Sequence, residues 1–212
     1  RIVVKLKNYK MSKLKKLYLD IHNKMKSQHG FSPKALWGSK NSQEIRFDIL
    51  TKCITPTDEK IKVLDVGSGL GHLYGYLLEK GFDIDYTGLE INKEFVEQSQ
   101  KTFPDGKFIL GDIDQLDLQN TMYDYCFASG IYNLGIKRET QEAFVNDFKS
   151  IIKITKRTCA VNFLSSASKN QDDISVYHKP SEIINLVEKK LLSECEIFEN
   201  YLPNDFTICI YK

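Results

Sequence analysis

The 212-residue sequence contains no apolar run approaching the ~18 residues that a membrane-crossing helix needs, and its opening residues lack the apolar core of a secretory signal. No membrane span is expected, and a cytoplasmic location follows. Cysteine is also scarce: the five residues at 53, 126, 159, 195 and 209 form no Cys-x-x-Cys pair. Three of them sit in apolar, strand-like runs where a thiol behaves as a small hydrophobe, so all five are expected to be reduced core residues. The four histidines, at 22, 29, 72 and 178, show no metal-ligand spacing with acids or cysteines, and no metal is expected. No repeat, low-complexity tract or linker divides the chain. At this length one ordinary domain with a sizeable core is the expectation.

What the chain does have is glycine concentrated at one turn. Val63-Leu64-Asp65-Val66-Gly67-Ser68-Gly69-Leu70-Gly71 reads as an apolar strand with an acid near its end, running into three alternate glycines. Glycine lets the backbone turn sharply and approach a ligand closely, and the helix that follows presents unpaired N–H groups. A phosphate-binding loop would require Lys after its last glycine, but His72 and Leu73 follow Gly71. The dinucleotide fingerprint asks for a small residue at 72, so a nicotinamide cofactor is disfavoured. Asp65 would repel a pyrophosphate and welcome a cationic aminoacyl group. The pattern favours a positively charged, adenine-bearing cofactor.

These residues resemble the first motif of the class I S-adenosylmethionine-dependent methyltransferases, and the likeness continues in order along the chain. Tyr86-Thr87-Gly88-Leu89-Glu90-Ile91-Asn92 is similar to that family's second strand, about 20 residues past the glycines, as a βαβ unit requires. Lys107-Phe108-Ile109-Leu110-Gly111-Asp112-Ile113 is similar to the third, and Tyr123-Asp124-Tyr125-Cys126-Phe127-Ala128-Ser129-Gly130 to the fourth. The resemblance implies S-adenosyl-L-methionine as cofactor. It would be held by Asp65, Gly67, Ser68, Gly69, Glu90, Ile91, Asp112, Ile113 and Ser129, with Glu90 on the ribose hydroxyls and Asp112 on the adenine amino group. It also implies a Rossmann-like, doubly wound α/β fold.

Strand and helix patterns alternate from residue 61 onward, arguing for a mostly parallel sheet covered on both faces. Strands are expected at residues 61–66, 85–90, 107–111, 123–129, 158–164, 195–201 and 206–211. Helices are expected near 71–80, 92–102, 138–154 and 180–192; in the longest, Phe144, Phe148, Ile151 and Ile152 recur at helical spacing. Only Leu202-Pro203-Asn204-Asp205 joins the last two strands, which is too short for a crossover, so they should form an antiparallel C-terminal hairpin. Seven strands are the resembled family's number.

Residues 1–56 are read as an N-terminal helical extension or lid and 57–212 as the cofactor-binding domain. From Tyr9 to Met25, the residues Met11, Leu14, Leu17, Tyr18, Ile21 and Met25 share one helical arc while Lys13, Lys16 and Lys24 share another. Residues 1–26 hold nine Lys/Arg and one acid, hence +8, which leaves −6 for the remainder of a chain whose net charge is +2. The basic face is read as solvated, with a contact to an anionic substrate, nucleic acid or membrane surface as the alternative. A further segment, residues 31–47, contains the only Trp and a helix capped near Asn41 or Ser42. Trp37 is expected to close over the cofactor and Arg46 to meet its carboxylate or a substrate anion; the competing reading makes Trp37 a core anchor and Arg46 an ion-paired surface residue.

Methyl transfer from a sulfonium needs mainly alignment, and a base is optional. In the resembled family, enzymes that methylate base amines or glutamine amides carry Asn/Asp-Pro-Pro-Tyr/Phe after the fourth strand. This chain reads Ser129-Gly130-Ile131-Tyr132-Asn133, so those acceptors are disfavoured. Tyr132, Asn133, Tyr177 and His178 are the candidates for shaping the acceptor pocket, with His178 as general base because its ordinary pKa lies near neutrality. The expected acceptor is a small molecule methylated on oxygen or an amine. The alternatives are a non-catalytic cofactor-binding scaffold and an RNA methyltransferase using the basic helix, although aromatic interleaving typical of RNA binders is sparse. Nothing in the sequence sets the oligomeric state.

Overall fold

The computed structural model describes residues 11–36, 39–115 and 121–212. Seven strands, β1 (Ile61–Val66), β2 (Ile84–Glu90), β3 (Lys107–Leu110), β4 (Tyr123–Ser129), β5 (Thr155–Leu164), β6 (Cys195–Phe198) and β7 (Asp205–Tyr211), form one sheet in the order β3-β2-β1-β4-β5-β7-β6. The first five are mutually parallel. β7 inserts between β5 and β6 and is antiparallel to both, with Phe163 opposite Phe206 and Ile197 opposite Ile208. The order reverses between β1 and β4, so the carboxyl ends of those strands open a crevice, which is where open α/β sheets hold ligands.

The strands alternate their side chains between two apolar layers. On one face Val63, Tyr125 and Phe127 pack with Phe47 and Leu50 of α2 (Lys40–Lys52) and Leu73 and Leu77 of α3 (His72–Glu79). On the other, Leu64, Val66 and Val161 pack with Phe144, Phe148 and Ile151 of α5 (Lys137–Ile154) and Ile183 of α6 (Pro180–Leu186). The remaining helix of the sheet unit is α4 (Lys93–Thr102), whose cap Asn92 accepts from Glu94 N at 3.0 Å.

Several boundaries differ from the sequence expectation for local reasons. α1 runs Lys13–His29: Ser12 Oγ accepts from Lys15 N, and Gly30, at φ +61, closes the last turn by donating to Lys26 O. Tyr9, the expected start, lies outside the described residues. α2 is capped by Ser39, whose Oγ accepts from Ser42 N at 3.1 Å, rather than by Asn41 or Ser42. β5 begins three residues early because α5 passes into it without a loop at Thr155, whose hydroxyl donates to Ile151 O. β6 stops at Phe198, shortly before Asn200 takes a left-handed φ of +63. The helix expected to reach 192 gives way to a π-helical turn over Val187–Leu191.

One expectation is overturned. Cys53 and Cys209 are joined in a disulfide, with Cα atoms 6.5 Å apart, leaving Cys126, Cys159 and Cys195 as free thiols. The bridge is invisible to local spacing because its halves are 156 residues apart; α2 packs across the sheet so that the residue capping its C-terminus meets the middle of β7. Among the described residues no helix is long and apolar enough to cross a membrane, and no cluster of His, Cys, Asp and Glu is arranged to hold a metal ion.

Candidate active site

The turn after β1 is built by backbone that L-residues avoid. Gly67, Gly69 and Gly71 all adopt left-handed φ, at +76, +54 and +72. A Cβ on Gly67 would collide with Ile131 Cγ2, and one on Gly69 would lie 2.6 Å from Leu36 Cδ1. The Gly67 and Ser68 amides both donate to Leu89 O, at 2.8 and 3.0 Å, which ties the turn to the end of β2.

Glu90 at the end of β2 completes this tie. Its buried carboxylate accepts from Gly69 N at 2.9 Å through Oε2 and from Asn92 N at 2.7 Å through Oε1. Burial pushes its pKa up, partly offset by those backbone donors. Asp112, just past β3, accepts from Ile113 N at 2.6 Å and is ion-paired with Lys15 of α1.

α1 lies over these strand ends, clasped at several points. Tyr18 Oη bonds to both Leu134 N and Leu134 O, at 3.2 and 3.4 Å. Asn92 Nδ2 donates to Asn23 Oδ1 at 3.0 Å, and Lys26 pairs with Glu94. Lys13, Lys16 and Lys24 remain on the exposed side, so the helix is docked on the domain with part of its basic face in solvent.

Between α1, α2 and the strand ends lies a cavity of about 350 Å³. Of the sequence-selected residues it brings together Arg46, Gly67, Ser68, Gly69, Glu90, Ile91, Asp112, Ser129, Tyr132 and Asn133. Asp65 and Ile113 are buried next to it and are not among its lining residues, and Trp37 lies outside the described residues. Asp65 instead accepts from Tyr86 Oη at 2.5 Å inside the sheet, and burial pushes its pKa up to about 7. Held inside the sheet by Tyr86 and off the lining, this carboxyl does not face a ligand in the cavity, which corrects the expected role.

Two further side chains are committed elsewhere. Arg46 lines the cavity, yet its Nε and Nη2 donate to the two oxygens of buried Asp205, at 2.7 and 2.9 Å. The Tyr132 ring is buried among Phe144, Phe148 and Phe163, and its hydroxyl donates to Asp147 at 3.0 Å.

The pair expected near the acceptor is not at the cavity. His178 is fully buried against Phe163, and its Nε2 donates to Tyr132 O at 3.0 Å. That place, away from the lining and with Nε2 engaged, takes away the general-base role assigned from sequence; burial also lowers its pKa. Tyr177 Oη is bound to Asp172, accepting from its amide and donating to its carboxylate, again away from the lining residues.

The sequence reading missed Lys15, Tyr18, His22, Gln43 and Asp147, all of which line the cavity. Asp147 carried a signal: a carboxylate between Phe144, Val145 and Phe148 on the apolar side of an amphipathic helix has no reason to be there without a polar partner to meet. Gln43 Nε2 lies 3.0 Å from His72 Nδ1, so the residue that spoils a dinucleotide fingerprint helps to fix the start of α2.

A small adenine-bearing cation fits this wall on the structure's own terms. Two residues of the lining, Ser68 and His22, each hold a buried polar atom, Oγ and Nδ1, without a hydrogen-bond partner among the described residues, and the glycine turn brings backbone without side chains to the cavity wall.

Comparison with known proteins agrees. Residues 63–154 match the methyltransferase domain family. A Mycobacterium tuberculosis protein described as a candidate methyltransferase is 27% identical over 161 residues, covering 73% of this chain and 95% of that one. Demethylmenaquinone methyltransferase of Thermotoga maritima is 32% identical over 78 residues, 36% of this chain and 34% of its own. The fold is shared with magnesium protoporphyrin IX methyltransferase of Synechocystis, solved with bound S-adenosylmethionine, at a TM-score of 0.68 and 14% identity over 96% of this chain and 99% of that one. It is likewise shared with the CcbJ methyltransferase of Streptomyces caelestis, at 0.64 and 12% over 95% and 98%. The chain carries a methyltransferase domain over residues 63–154 and has the fold of solved S-adenosylmethionine-dependent methyltransferases.

Proposed function

We propose that this methyltransferase acts on an oxygen or amine of a small, largely apolar molecule, and that it does so by alignment rather than by a dedicated histidine base. The observation that carries this reading is the character of the cavity beyond the glycine turn. Leu14, Leu36, Ile131, Leu134 and Leu164 give the lining an apolar surface there, with Asn133 and Ser175 among its polar points. A nucleic-acid acceptor would call for an open, basic, aromatic-lined surface, whereas here Lys15 and Lys26 of the basic helix are spent on Asp112 and Glu94. A structural neighbour named as a magnesium protoporphyrin IX methyltransferase and a relative named as a demethylmenaquinone methyltransferase support a small-molecule acceptor.

In this reading Gly67 and Gly69 bring the backbone against the cofactor, Ser68 Oγ donates to it, and Glu90 accepts from the ribose hydroxyls. Ile91 packs on the adenine and Asp112 takes its amino group. The bound cofactor supplies an electrophilic methyl on a sulfonium. The chain's contribution is to hold the acceptor's nucleophile in line with that methyl and keep water out, a role that falls to Ile131, Leu134 and α1. Within the N-terminal extension read as residues 1–56, α1 acts as the cover, while α2 packs in a core layer of the cofactor-binding unit 57–212.

The test is transfer of labelled methyl from S-adenosylmethionine across a library of hydroxylated, phenolic and amine-bearing metabolites, with structured RNA and duplex DNA alongside. Labelling of a small molecule at low enzyme concentration supports the proposal. Labelling confined to nucleic acid, with affinity falling steeply as salt rises, overturns it.

A further inference from the structure

We propose that Gln43 and His72 form the subsite for the α-amino acid end of the cofactor, the Gln43 amide oxygen accepting from its ammonium and the His72 Nε2–H donating to its carboxylate. The inference rests on the reading of Glu90 and Asp112 as the ribose and adenine contacts.

The order of the strands sets the direction of the ligand. Asp112 follows β3, Glu90 ends β2 and Gly67 follows β1, and these three strands are neighbours in that order. A ligand with its adenine at Asp112 and its ribose at Glu90 therefore sends its remaining arm past the glycine turn. Beside that turn the cavity wall is made by α2, through Gln43 and Arg46, and by His72, the first residue of α3. Both charged groups closest to this place in the chain are engaged: Arg46 donates through Nε and Nη2 to Asp205, and Asp65 is held by Tyr86 inside the sheet. What α2 and α3 offer the zwitterionic arm is a neutral pair.

Gln43 Nε2 lies 3.0 Å from His72 Nδ1. An amide nitrogen only donates, so Nδ1 is the acceptor and the ring hydrogen of the neutral imidazole sits on Nε2. Burial lowers the pKa of His72, which favours that neutral form. Among the described residues neither Gln43 Oε1 nor His72 Nε2 has a hydrogen-bond partner. Gln43 is 3% exposed and belongs to the cavity wall, so its oxygen depends on the cavity for a donor. The bond between the two side chains fixes both at once: it orients Oε1 and selects the tautomer that makes Nε2 a donor. One acceptor and one donor held together in this way complement an ammonium and a carboxylate carried on a single carbon. A ligand with an anion alone would leave Oε1 unmatched.

The experiment is calorimetric binding of three ligands to wild type, His72→Ala, His72→Gln, Gln43→Leu and Asp112→Ala. The ligands are S-adenosylhomocysteine, its decarboxylated analogue, which keeps the amine, and 5′-methylthioadenosine, which has neither group. His72→Ala should bind S-adenosylhomocysteine roughly tenfold or more weakly, the loss of a hydrogen bond to a charged group, and the other two ligands within about twofold of wild type. His72→Gln still presents an N–H and should recover part of that loss. Gln43→Leu should weaken both amine-bearing ligands by roughly tenfold and leave 5′-methylthioadenosine unchanged, which also shows that the variant is folded. An equal loss for all three ligands would make the pair a prop for the glycine turn and overturns the proposal, as does undiminished affinity for S-adenosylhomocysteine in His72→Ala and Gln43→Leu. If Asp112→Ala binds 5′-methylthioadenosine as well as wild type does, the adenine assignment of the cavity falls and the proposal with it; if Asp112→Ala is weakened while the His72 and Gln43 variants bind every ligand as wild type does, only the role of the pair falls.

Discussion

Replacing Glu90 by Gln probes the junction between fold and cofactor site with the least change of shape. In the native chain the carboxylate accepts from two backbone amides at once, Gly69 N at 2.9 Å and Asn92 N at 2.7 Å, and is only 4% exposed. An amide presents one oxygen and one NH2, so one of those N–H groups will face a donor and lose its partner. A buried, unsatisfied backbone group costs about 1–3 kcal/mol. For a chain of this size that is a drop in Tm of roughly 4–8 °C at the middle of the range. A second cost is independent of the first. If Glu90 also receives the ribose hydroxyls, binding of S-adenosylhomocysteine should weaken by a further 1–3 kcal/mol or so, roughly five- to 150-fold. Thermal unfolding without ligand measures the first cost and calorimetric titration of the folded variant measures the second. A variant with the expected loss of Tm but wild-type affinity would confine Glu90 to holding the glycine turn and would refute its assignment to the ribose. A variant with unchanged Tm would refute the hydrogen-bond argument itself.

His178→Ala should cost about 2–4 kcal/mol in urea denaturation, since it opens a void beside Phe163 and unpairs Tyr132 O; a titration lost from the pH profile of kcat, with stability intact, would restore the histidine as base. Arg46→Ala leaves Asp205 buried without its bidentate partner and should destabilise by about 3–5 kcal/mol, with Arg46→Ala/Asp205→Asn recovering part of that in the same assay. Deleting the chain through Gly30 removes α1 but neither core layer; circular dichroism should show a folded sheet domain, and affinity for S-adenosylhomocysteine should fall, whereas unchanged affinity would dismiss α1 as a cover. Asp65 keeps its proton to about 7 in the folded chain, against about 4 when unfolded, so the unfolded state releases that proton first and stability declines as pH rises between those values. Asp65→Asn should shrink the difference between urea midpoints at about pH 5 and about pH 8, and an unaltered difference would contradict the buried-acid assignment.

The sheet was legible because the apolar run of each of the first four strands stops at a glycine or an acid, with glycine after β1, Glu90 on β2, Gly111 after β3 and Gly130 after β4. Those punctuation points are local, and local signals survive in sequence. The short Leu202-Pro203-Asn204-Asp205 connection likewise announced an antiparallel partner for β6. Long-range facts were hidden. Nothing around Asp205 shows that Arg46 will reach it, and nothing around Cys53 shows that Cys209 will. His178 was misread for the opposite reason: it follows a run of exposed polar residues, from Gln171 to Asp173, and looks like part of a surface loop. The bridge between Ser165 and His178 pulls it down against Phe163.

The Cys53–Cys209 bond joins the residue after α2 to the middle of the last strand, and every other strand lies between them in the chain. The sheet is thus closed into a covalent ring. A single cut in that ring, for instance by a protease in the exposed stretch around Asp172 and Asp173, opens a link without dividing the molecule. The two ends stay tethered through the sulfur atoms, at an effective concentration set by the fold itself. Under non-reducing conditions such a nicked chain runs as one species, and the halves part only when thiol is added.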